Sequence, residues 1–266
     1  MFITMLGTGN AAVTECYNTC FVIDDGGRKL LVDAGGGNGI LTQLKRAGIK
    51  LSDVRDIIVT HKHIDHILGV VWLVRMICQN MNKGKFEGTV NIYGHDEVVR
   101  ILSDLCVGLL QESQSKLIGE RVFFLEVKDG ETHSIIGKDV TFFDIRSTKA
   151  KQFGFTMSLG ENKKLTCCGD EPYVESEYPY AVNSDFLMHE AFCLYSQAHI
   201  FDPYAKHHST VKDACSVAEK LGVKNLILYH TEDKNLKNRK ALYEEEGKKY
   251  FSGNLFVPDD LEKIEL

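Results

Sequence analysis

Three histidines and one aspartate stand within six positions of one another, in the run His61-Lys62-His63-Ile64-Asp65-His66. The run follows the apolar, β-branched segment 57–60, which predicts a buried strand, so we expect these side chains in a tight loop at a sheet edge. Three imidazoles and a carboxylate could not be buried together without a partner, because each unpaired polar group costs free energy on leaving water. A divalent metal would satisfy them all. Imidazole favours zinc, and the mixed nitrogen and oxygen set also suits iron or manganese.

Two further segments end in a similar way. The apolar run 165–168 leads into Gly169-Asp170, and the buried strand predicted at 225–229 leads into His230. In each case a residue type that binds metals stands just past a strand. If these strand ends converge on the histidine run, Asp170 can bridge two metals and His230 can complete the second. Taken alone, Asp170 would be a turn residue and His230 a strand cap.

The elements that must position these residues are a series of strands interrupted by helices. Strands are predicted at 2–6, 19–23, 29–32, 57–60, 89–93, 121–127, 140–145, 153–159, 165–168, 186–188 and 225–229, and helices at 40–47, 68–81, 97–110 and 210–221. The last helix has the clearest signals, because Thr210 and Asp213 match a capping box and Gly222 can end it. This order of elements favours two sheets with helices outside. No Pro/Gly/Ser-rich linker interrupts the chain, so a single domain over residues 1–266 is expected.

The composition excludes several classes of protein. With 266 residues, 44% hydrophobic and 26% charged, the chain is typical of an ordinary globular protein and not of a disordered or fibrous one. The net charge of −6 argues against general attraction of nucleic acid, so a polyanion would need a local site. Neither a membrane-spanning run nor a signal-peptide pattern is present, and we therefore expect a cytoplasmic protein whose cysteines are reduced.

With these residues in view, the sequence resembles the metallo-β-lactamase fold superfamily, and within it the ribonuclease Z-like phosphodiesterases. The segments that carry the resemblance span almost the whole chain in family order: Leu6-Gly7-Thr8-Gly9, Asp33-Ala34-Gly35, His61–His66, Gly169-Asp170, His189-Glu190-Ala191-Phe192, His208-Ser209-Thr210 and Leu226–His230. The histidine-aspartate run is typical of the superfamily. The pair of segments that begin at His189 and His208 is typical of the ribonuclease Z-like branch.

The resemblance implies an α/β fold, the four-layer αβ/βα sandwich, with two mixed sheets and helices on the outer faces. It also implies a homodimer and a two-metal site at one edge of the sheets. The metal ligands that it implies are His61, His63 and Asp170 for the first metal, and Asp65, His66, Asp170 and His230 for the second.

One departure from the family pattern concerns the first metal. The family has a third histidine there, at the end of the strand before a Gly-aromatic segment, but here the strand 140–145 is followed by Arg146. Either the alignment slips, or Arg146 occupies the ligand place. In that case the first metal is weakened or absent, because a guanidinium stays charged and cannot ligate. Arg146 could instead contact a phosphate or form a surface salt bridge.

A second departure concerns size. Segment 146–170 is too short for the protruding arm that grips tRNA in the tRNA-processing members of the branch. Together with the acidic net charge, this argues against a full tRNA and favours a smaller phosphodiester as the substrate.

The sequence therefore predicts a metal-dependent hydrolase, and most directly a phosphodiesterase in which a metal-bound hydroxide attacks a small phosphodiester or nucleotide. Asp65 would orient the hydroxide. His208, poised by a hydrogen bond with Glu190, would protonate the leaving alkoxide. The plainer interpretation of Glu190 and His208 is helix-start capping and solvation at the surface.

Two other functions stay open at this point. Thioester or lactam hydrolysis is known in the same fold, but it would leave His208 and Glu190 without a role. A catalytically weakened metal-binding or sensory protein is the other alternative, and Arg146 is the reason to consider it. Among phosphodiesters, cyclic mononucleotides and short RNA ends are both compatible with the sequence.

Overall fold

The computed structural model describes residues 1–266, and its strands form two seven-stranded sheets. The strands of the first sheet, in spatial order, are β14 (Lys263–Glu265), β1 (Phe2–Gly7), β2 (Cys20–Asp24), β3 (Lys29–Val32), β4 (Val54–Ile58), β5 (Val90–Gly94) and β6 (Val122–Glu126). Those of the second sheet are β13 (Asn254–Phe256), β12 (Asn225–Tyr229), β11 (Phe186–Glu190), β10 (Lys163–Cys167), β9 (Phe153–Gly160), β8 (Lys138–Asp144) and β7 (Thr132–Ile135). Both sheets are mixed: β3 to β6 run parallel beside the antiparallel β1 and β2, and β10 to β13 run parallel beside the antiparallel β7 to β9.

Helices cover the outer faces of both sheets. They are α1 (Gly39–Arg46), α2 (Ile64–Asn82), α3 (Asp96–Leu109), α4 (Glu112–Ser115), α5 (Tyr178–Ala181), α6 (Ala198–Phe201), α7 (Val211–Lys220) and α8 (Arg239–Gly247). One apolar cluster lies between the first sheet and helices α1 to α3, a second lies between the two sheets, and a third lies between the second sheet and α7 and α8. The αβ/βα sandwich expected from the resemblance is therefore confirmed. None of the helices is both long and apolar enough to cross a membrane.

The strands are apolar on both sides because each sheet separates two of these clusters. In β2, for example, Val22 belongs to the cluster under the helices, while Phe21 and Ile23 belong to the cluster between the sheets. Successive side chains of a strand point to opposite faces of the sheet. A sheet covered on both faces thus produces continuous apolar runs, and those runs are what made the central strands predictable.

Helix α2 begins earlier than its apolar pattern indicates. The sequence predicted it from residue 68, but it starts at Ile64, with His63 as the extended residue before it. Asp65 and His66 consequently lie in the first helical turn and not in a loop. A carboxylate is favourable in this position, because the free N–H groups of a first turn carry partial positive charge.

The same helix approaches the loop after β3 very closely. The Gly69 N–H donates a hydrogen bond to the Gly35 carbonyl (2.8 Å), and the Ala34 N–H donates one to the His66 carbonyl (3.0 Å). A Cβ atom at Gly69 would collide with the carbonyl oxygen of Ala34. Glycine at this position therefore lets the start of α2 lie against the end of β3.

Replacing Gly69 with alanine should destabilise the protein by about 1–3 kcal/mol, because the helix or the loop must move to relieve the overlap. Thermal or urea unfolding measures the change. The matched control is Gly108→Ala in α3, where a Cβ atom would meet no neighbour within 4 Å. Alanine there should be neutral or stabilising by up to about 1 kcal/mol. Equal stability of the two variants would contradict the close approach of α2.

Candidate metal centre

Side chains from four separate segments meet at one edge of the two sheets. His61 follows β4 in the first sheet, and Asp65 and His66 lie in the first turn of α2. Asp170 follows β10 and His230 follows β12, both in the second sheet. These five residues are called the Asp170 cluster below. It spans the two sheets, so its geometry depends on how the sheets pack together.

The carboxylate of Asp170 is the common neighbour in this cluster. Its Oδ2 lies 3.5 Å from Nε2 of His61, 3.5 Å from Nε2 of His66 and 3.4 Å from Nε2 of His230. The Oδ2 of Asp65 lies 3.4 Å from Nε2 of His66 and 3.6 Å from Nε2 of His230. All five side chains are buried. The spacing lets one ion contact atoms from both sheets at once.

Several atoms of the cluster have no hydrogen-bond partner within the protein. They are Nε2 of His66, both ring nitrogens of His230, and Oδ1 of Asp170. A buried polar group that lacks a partner costs about 1–3 kcal/mol. Imidazole nitrogens and carboxylate oxygens are ordinary ligands of zinc. The cluster therefore fits a divalent metal: the ligand atoms of His61, His66 and Asp170 converge, and so do those of Asp65, His66 and His230.

The histidines keep both carboxylates of the cluster ionised. Burial by itself would raise the pKa of Asp170, but the neighbouring His61, His66 and His230 outweigh it and hold that pKa well below its usual range. Burial opposes ionisation of Asp65 too, and His66 and His230 likewise bring its pKa down. Both carboxylates are thus ionised, as metal ligands must be. Burial lowers the pKa of His66, but Asp33 and Asp65 outweigh burial and raise that pKa well above its usual value, so the His66 ring must release a proton when it binds a metal.

Asp33 and Thr60 orient the histidines from behind. Oδ2 of Asp33 lies 2.7 Å from Nδ1 of His66, and its carboxylate accepts hydrogen bonds from the Thr60 N–H (2.8 Å) and hydroxyl (2.7 Å). Oγ1 of Thr60 is 3.0 Å from Nδ1 of His61. A carboxylate behind a metal-binding imidazole fixes its ring orientation and raises its basicity.

This supporting role of Asp33 was not predicted from the sequence. The signal was available, because Asp33 follows β3 and His61 follows β4, and these strands are parallel neighbours. The carboxyl ends of parallel neighbours meet at the same edge of a sheet, so the two residues had to be close.

His63 lies at the rim of the cluster. Its ring is half-buried, and its Nδ1 is 2.8 Å from Nε2 of His61. It is not among the groups of side chains whose ligand atoms converge with Asp170. Of the ligands implied for the first metal, His61 and Asp170 therefore converge, together with His66, while His63 lies beside them.

The structure corrects the expectation that Arg146 occupies a ligand place or contacts a phosphate at this site. Its guanidinium is 61% exposed and pairs with Asp129 at 3.0 Å and Asp144 at 3.4 Å. The backbone at Arg146 has a left-handed conformation, with φ of 58°. The chain turns there after β8, and the side chain joins two surface carboxylates. A surface salt bridge, the third role considered for Arg146, is the one that matches this position.

Glu190 and His208 lie next to His230. The ring centroids of His208 and His230 are 5.2 Å apart. The ring of Phe192 stacks on that of His208, with 5.0 Å between the centroids. Nδ1 of His208 is 3.6 Å from Oε2 of Glu190, which is too long for the expected hydrogen bond. The second carboxylate oxygen, Oε1 of Glu190, accepts a hydrogen bond from the Ser209 N–H. Glu190 and His208 thus face each other without being bonded.

Burial shifts the pKa values of these two side chains in opposite directions. It raises the pKa of Glu190 to about 7. It lowers the pKa of His208 to about 4, and the positive charge of Lys149 adds to that effect. Around neutral pH, a proton shared by the two groups therefore resides mainly on Glu190.

A cavity of about 760 Å³ opens over the cluster. Its lining consists of Asn10, Ala11, Ala12, Lys62, His63, Ile64, Asp65, Lys149, Asp170, Phe192, Lys206, His208 and His230. This volume lies within the range of about 300–1,000 Å³ that is usual for small-molecule sites. Three residues of the Asp170 cluster (Asp65, Asp170 and His230), His208 and three lysines face the same space.

The fold and the cluster define a protein with the metallo-β-lactamase fold. The chain is similar to the metallo-β-lactamase fold protein YhfI of Bacillus subtilis, with a TM-score of 0.81 and 19% identity over 99% of this chain and 98% of that one. It is also similar to a diphosphatase of the PhnP family, with a TM-score of 0.75 and 18% identity over 100% and 97% of the two chains.

The sequence comparisons narrow this class to a family. Ribonuclease Z of Archaeoglobus fulgidus is 26% identical over 99% of this chain and 97% of that protein, and the predicted resemblance to the ribonuclease Z-like branch is confirmed. Residues 1–252 match the model of the family described as anti-Pycsar protein Apyc1, and the chain belongs to that family.

Asp33→Asn should lower the affinity of the protein for zinc about 10- to 100-fold, because loss of a supporting carboxylate has effects of this size in metal sites. Competition with a chromophoric chelator measures the affinity. His230→Ala should lower the affinity for zinc further, since it removes a proposed ligand. Asp53→Asn, at an exposed position, is the control and should bind zinc like the unaltered protein. Unchanged affinity in both Asp33→Asn and His230→Ala would contradict the metal site.

Proposed function

We propose that the protein is a metal-dependent hydrolase that cleaves small phosphodiesters, such as those of nucleotides. The observation that carries the proposal is the convergence of three buried imidazoles on Oδ2 of Asp170, beneath a cavity that also presents His208. The similarity to a ribonuclease Z and to a diphosphatase supports the same class of reaction.

Asp65, His66, Asp170 and His230 would hold one divalent metal, for which zinc is favoured and manganese or iron is compatible. His61, His63 and Asp170 would hold a second, more weakly because that set has no third imidazole. A divalent metal in such a site lowers the pKa of water and polarises a phosphoryl oxygen. Asp65, kept anionic by His66 and His230, would orient the attacking water.

Glu190 and His208 would deliver the proton that the leaving alkoxide needs. Near neutral pH the proton of the pair is carried by Glu190, whose pKa is raised to about 7. Nδ1 of His208 faces that carboxyl at 3.6 Å, so the ring can accept the proton at Nδ1 and donate the one at Nε2 to the leaving oxygen. The stacked Phe192 would hold the ring in this orientation.

The size of the cavity and the shape of the neighbouring hairpin favour a small substrate. Most of segment 146–170 is β9 and β10, which are joined by a two-residue turn between Gly160 and Lys163. The turn residues, Glu161 and Asn162, both have positive φ. A hairpin this short has no long arm to grip a full tRNA.

The homodimer and the cytoplasmic location expected from the sequence stay predictions.

A substrate panel tests the proposed reaction. The purified protein, supplied with zinc or manganese, should hydrolyse bis(p-nitrophenyl) phosphate and at least one nucleotide phosphodiester among cyclic mononucleotides and short RNA. A chelator should abolish the activity, and restored metal should recover it. Turnover of thioesters or lactams alone would refute the phosphodiesterase. Bound metal with no turnover of any substrate would favour the weakened, sensory alternative.

His208→Asn should lower kcat about 10²- to 10⁴-fold on a nucleotide phosphodiester, because an alkoxide leaves poorly without a proton. The loss should be much smaller on bis(p-nitrophenyl) phosphate, whose phenolate leaves readily unprotonated. His199→Asn, at an exposed position nine residues away, is the control and should behave like the unaltered protein. An equal loss of kcat on both substrates would mean that His208 does not protonate the leaving group.

A further inference from the structure

The segment after Arg146 contributes Lys149 to the wall of the cavity and is fixed there by Glu171. The Ser147 hydroxyl donates a hydrogen bond to Oε1 of Glu171 (2.6 Å), and the Thr148 N–H donates a weaker one to Oε2 (3.4 Å). Oγ of Ser147 also accepts the Ala150 N–H (3.2 Å). Glu171 is buried and directly follows Asp170. The segment is therefore tied to the backbone of the Asp170 cluster.

Of the three lysines that line the cavity, two have close partners. Nζ of Lys62 lies 2.8 Å from Oε2 of Glu97, and Nζ of Lys206 donates a 2.7 Å hydrogen bond to the Phe201 carbonyl. Lys149, which the fixed segment carries, has longer contacts: 3.3 Å to the Lys206 carbonyl and 3.7 Å to Oε1 of Glu171. An ammonium group has three N–H donors, so Lys149 retains hydrogen-bonding capacity toward the cavity.

The position of Lys149 is also the right one for an anion held over the cluster. Its positive charge helps to lower the pKa values of both His63 and His208, which lie on the cavity wall. The Lys149 side chain is 25% exposed, although the residue as a whole is exposed, so the side chain is partly covered and still open to the cavity. Hydrogen bonds from a charged group to phosphate oxygens are strong in such surroundings.

We propose that Lys149 binds a non-bridging phosphate oxygen of the substrate and is a specificity-determining residue for anionic esters. This inference rests on the proposed function, since it names the part of the phosphodiester that Lys149 contacts. Lys149 would supply positive charge on the side where the ligands of the first metal are fewest. A neutral thioester would gain nothing from it.

The test compares Lys149→Met with Lys151→Met. Lys151 lies two residues further along, pairs with Asp96 at 2.5 Å and does not line the cavity. With the zinc-loaded protein, Lys149→Met should lower kcat/KM for the best phosphodiester about 10- to 100-fold, while Lys151→Met should leave it within about twofold. Lys149→Arg should recover most of the loss, because the positive charge is kept.

A second measurement keeps this inference separate from the proposed reaction. Calorimetric titration with inorganic phosphate should give about 10- to 100-fold weaker binding to Lys149→Met than to Lys151→Met, at equal zinc content. If the protein cleaves no phosphodiester but this difference appears, the proposed function fails and the anion site stands. Equal phosphate affinity of the two variants, or no phosphate binding by the unaltered protein, would overturn the role of Lys149.

Discussion

The buried carboxylate of Asp170 is the constraint on which the arrangement of this molecule depends. An anion out of contact with water is costly unless positive or hydrogen-bonding groups surround it. Here three imidazoles face one oxygen of that carboxylate: His61 follows β4, His66 lies in α2 and His230 follows β12. Two sheets must therefore pack at a fixed separation before the group is accommodated. A bound metal would remove the remaining cost, because it satisfies the ring nitrogens that have no partner.

A close backbone approach and several supporting hydrogen bonds position the side chains around Asp170. Gly69 allows α2 to lie against the loop after β3, which brings Asp33 within 2.7 Å of the His66 ring. Glu171, the residue after Asp170, accepts a hydrogen bond from Ser147 and so fixes the segment that carries Lys149. Asp170 and Glu171, which follow β10, thus position both the shared carboxylate and the segment of Lys149 at the cavity.

The sequence predicted the residues of the cluster because each stands at a recognisable local position. Asp170 and His230 follow apolar strands, and the observed β12 (Asn225–Tyr229) coincides with the expected one. The regular strands and α7 were predictable because buried faces and a capping box leave local patterns. Helix α2 starts four residues early, because polar ligands in its first turn hide the helical period.

Other features depend on contacts that no local pattern encodes. The short strand β14 (Lys263–Glu265) has one apolar residue and pairs with β1 at the opposite end of the chain. Helix α8 was missed because its run of charged residues shows little apolar period. The direction of the Arg146 side chain is set by a left-handed backbone and by two carboxylates, and the sequence left these possibilities open.

The most direct test of the central claim is an anomalous difference map from crystals of the zinc-loaded protein. We expect a zinc peak at about 2.0–2.2 Å from the ligand atoms of Asp170, His66, His230 and Asp65. A weaker second peak should lie toward His61. Crystals that bind zinc elsewhere, or show no peak beside Asp170 at saturating zinc, would contradict the account.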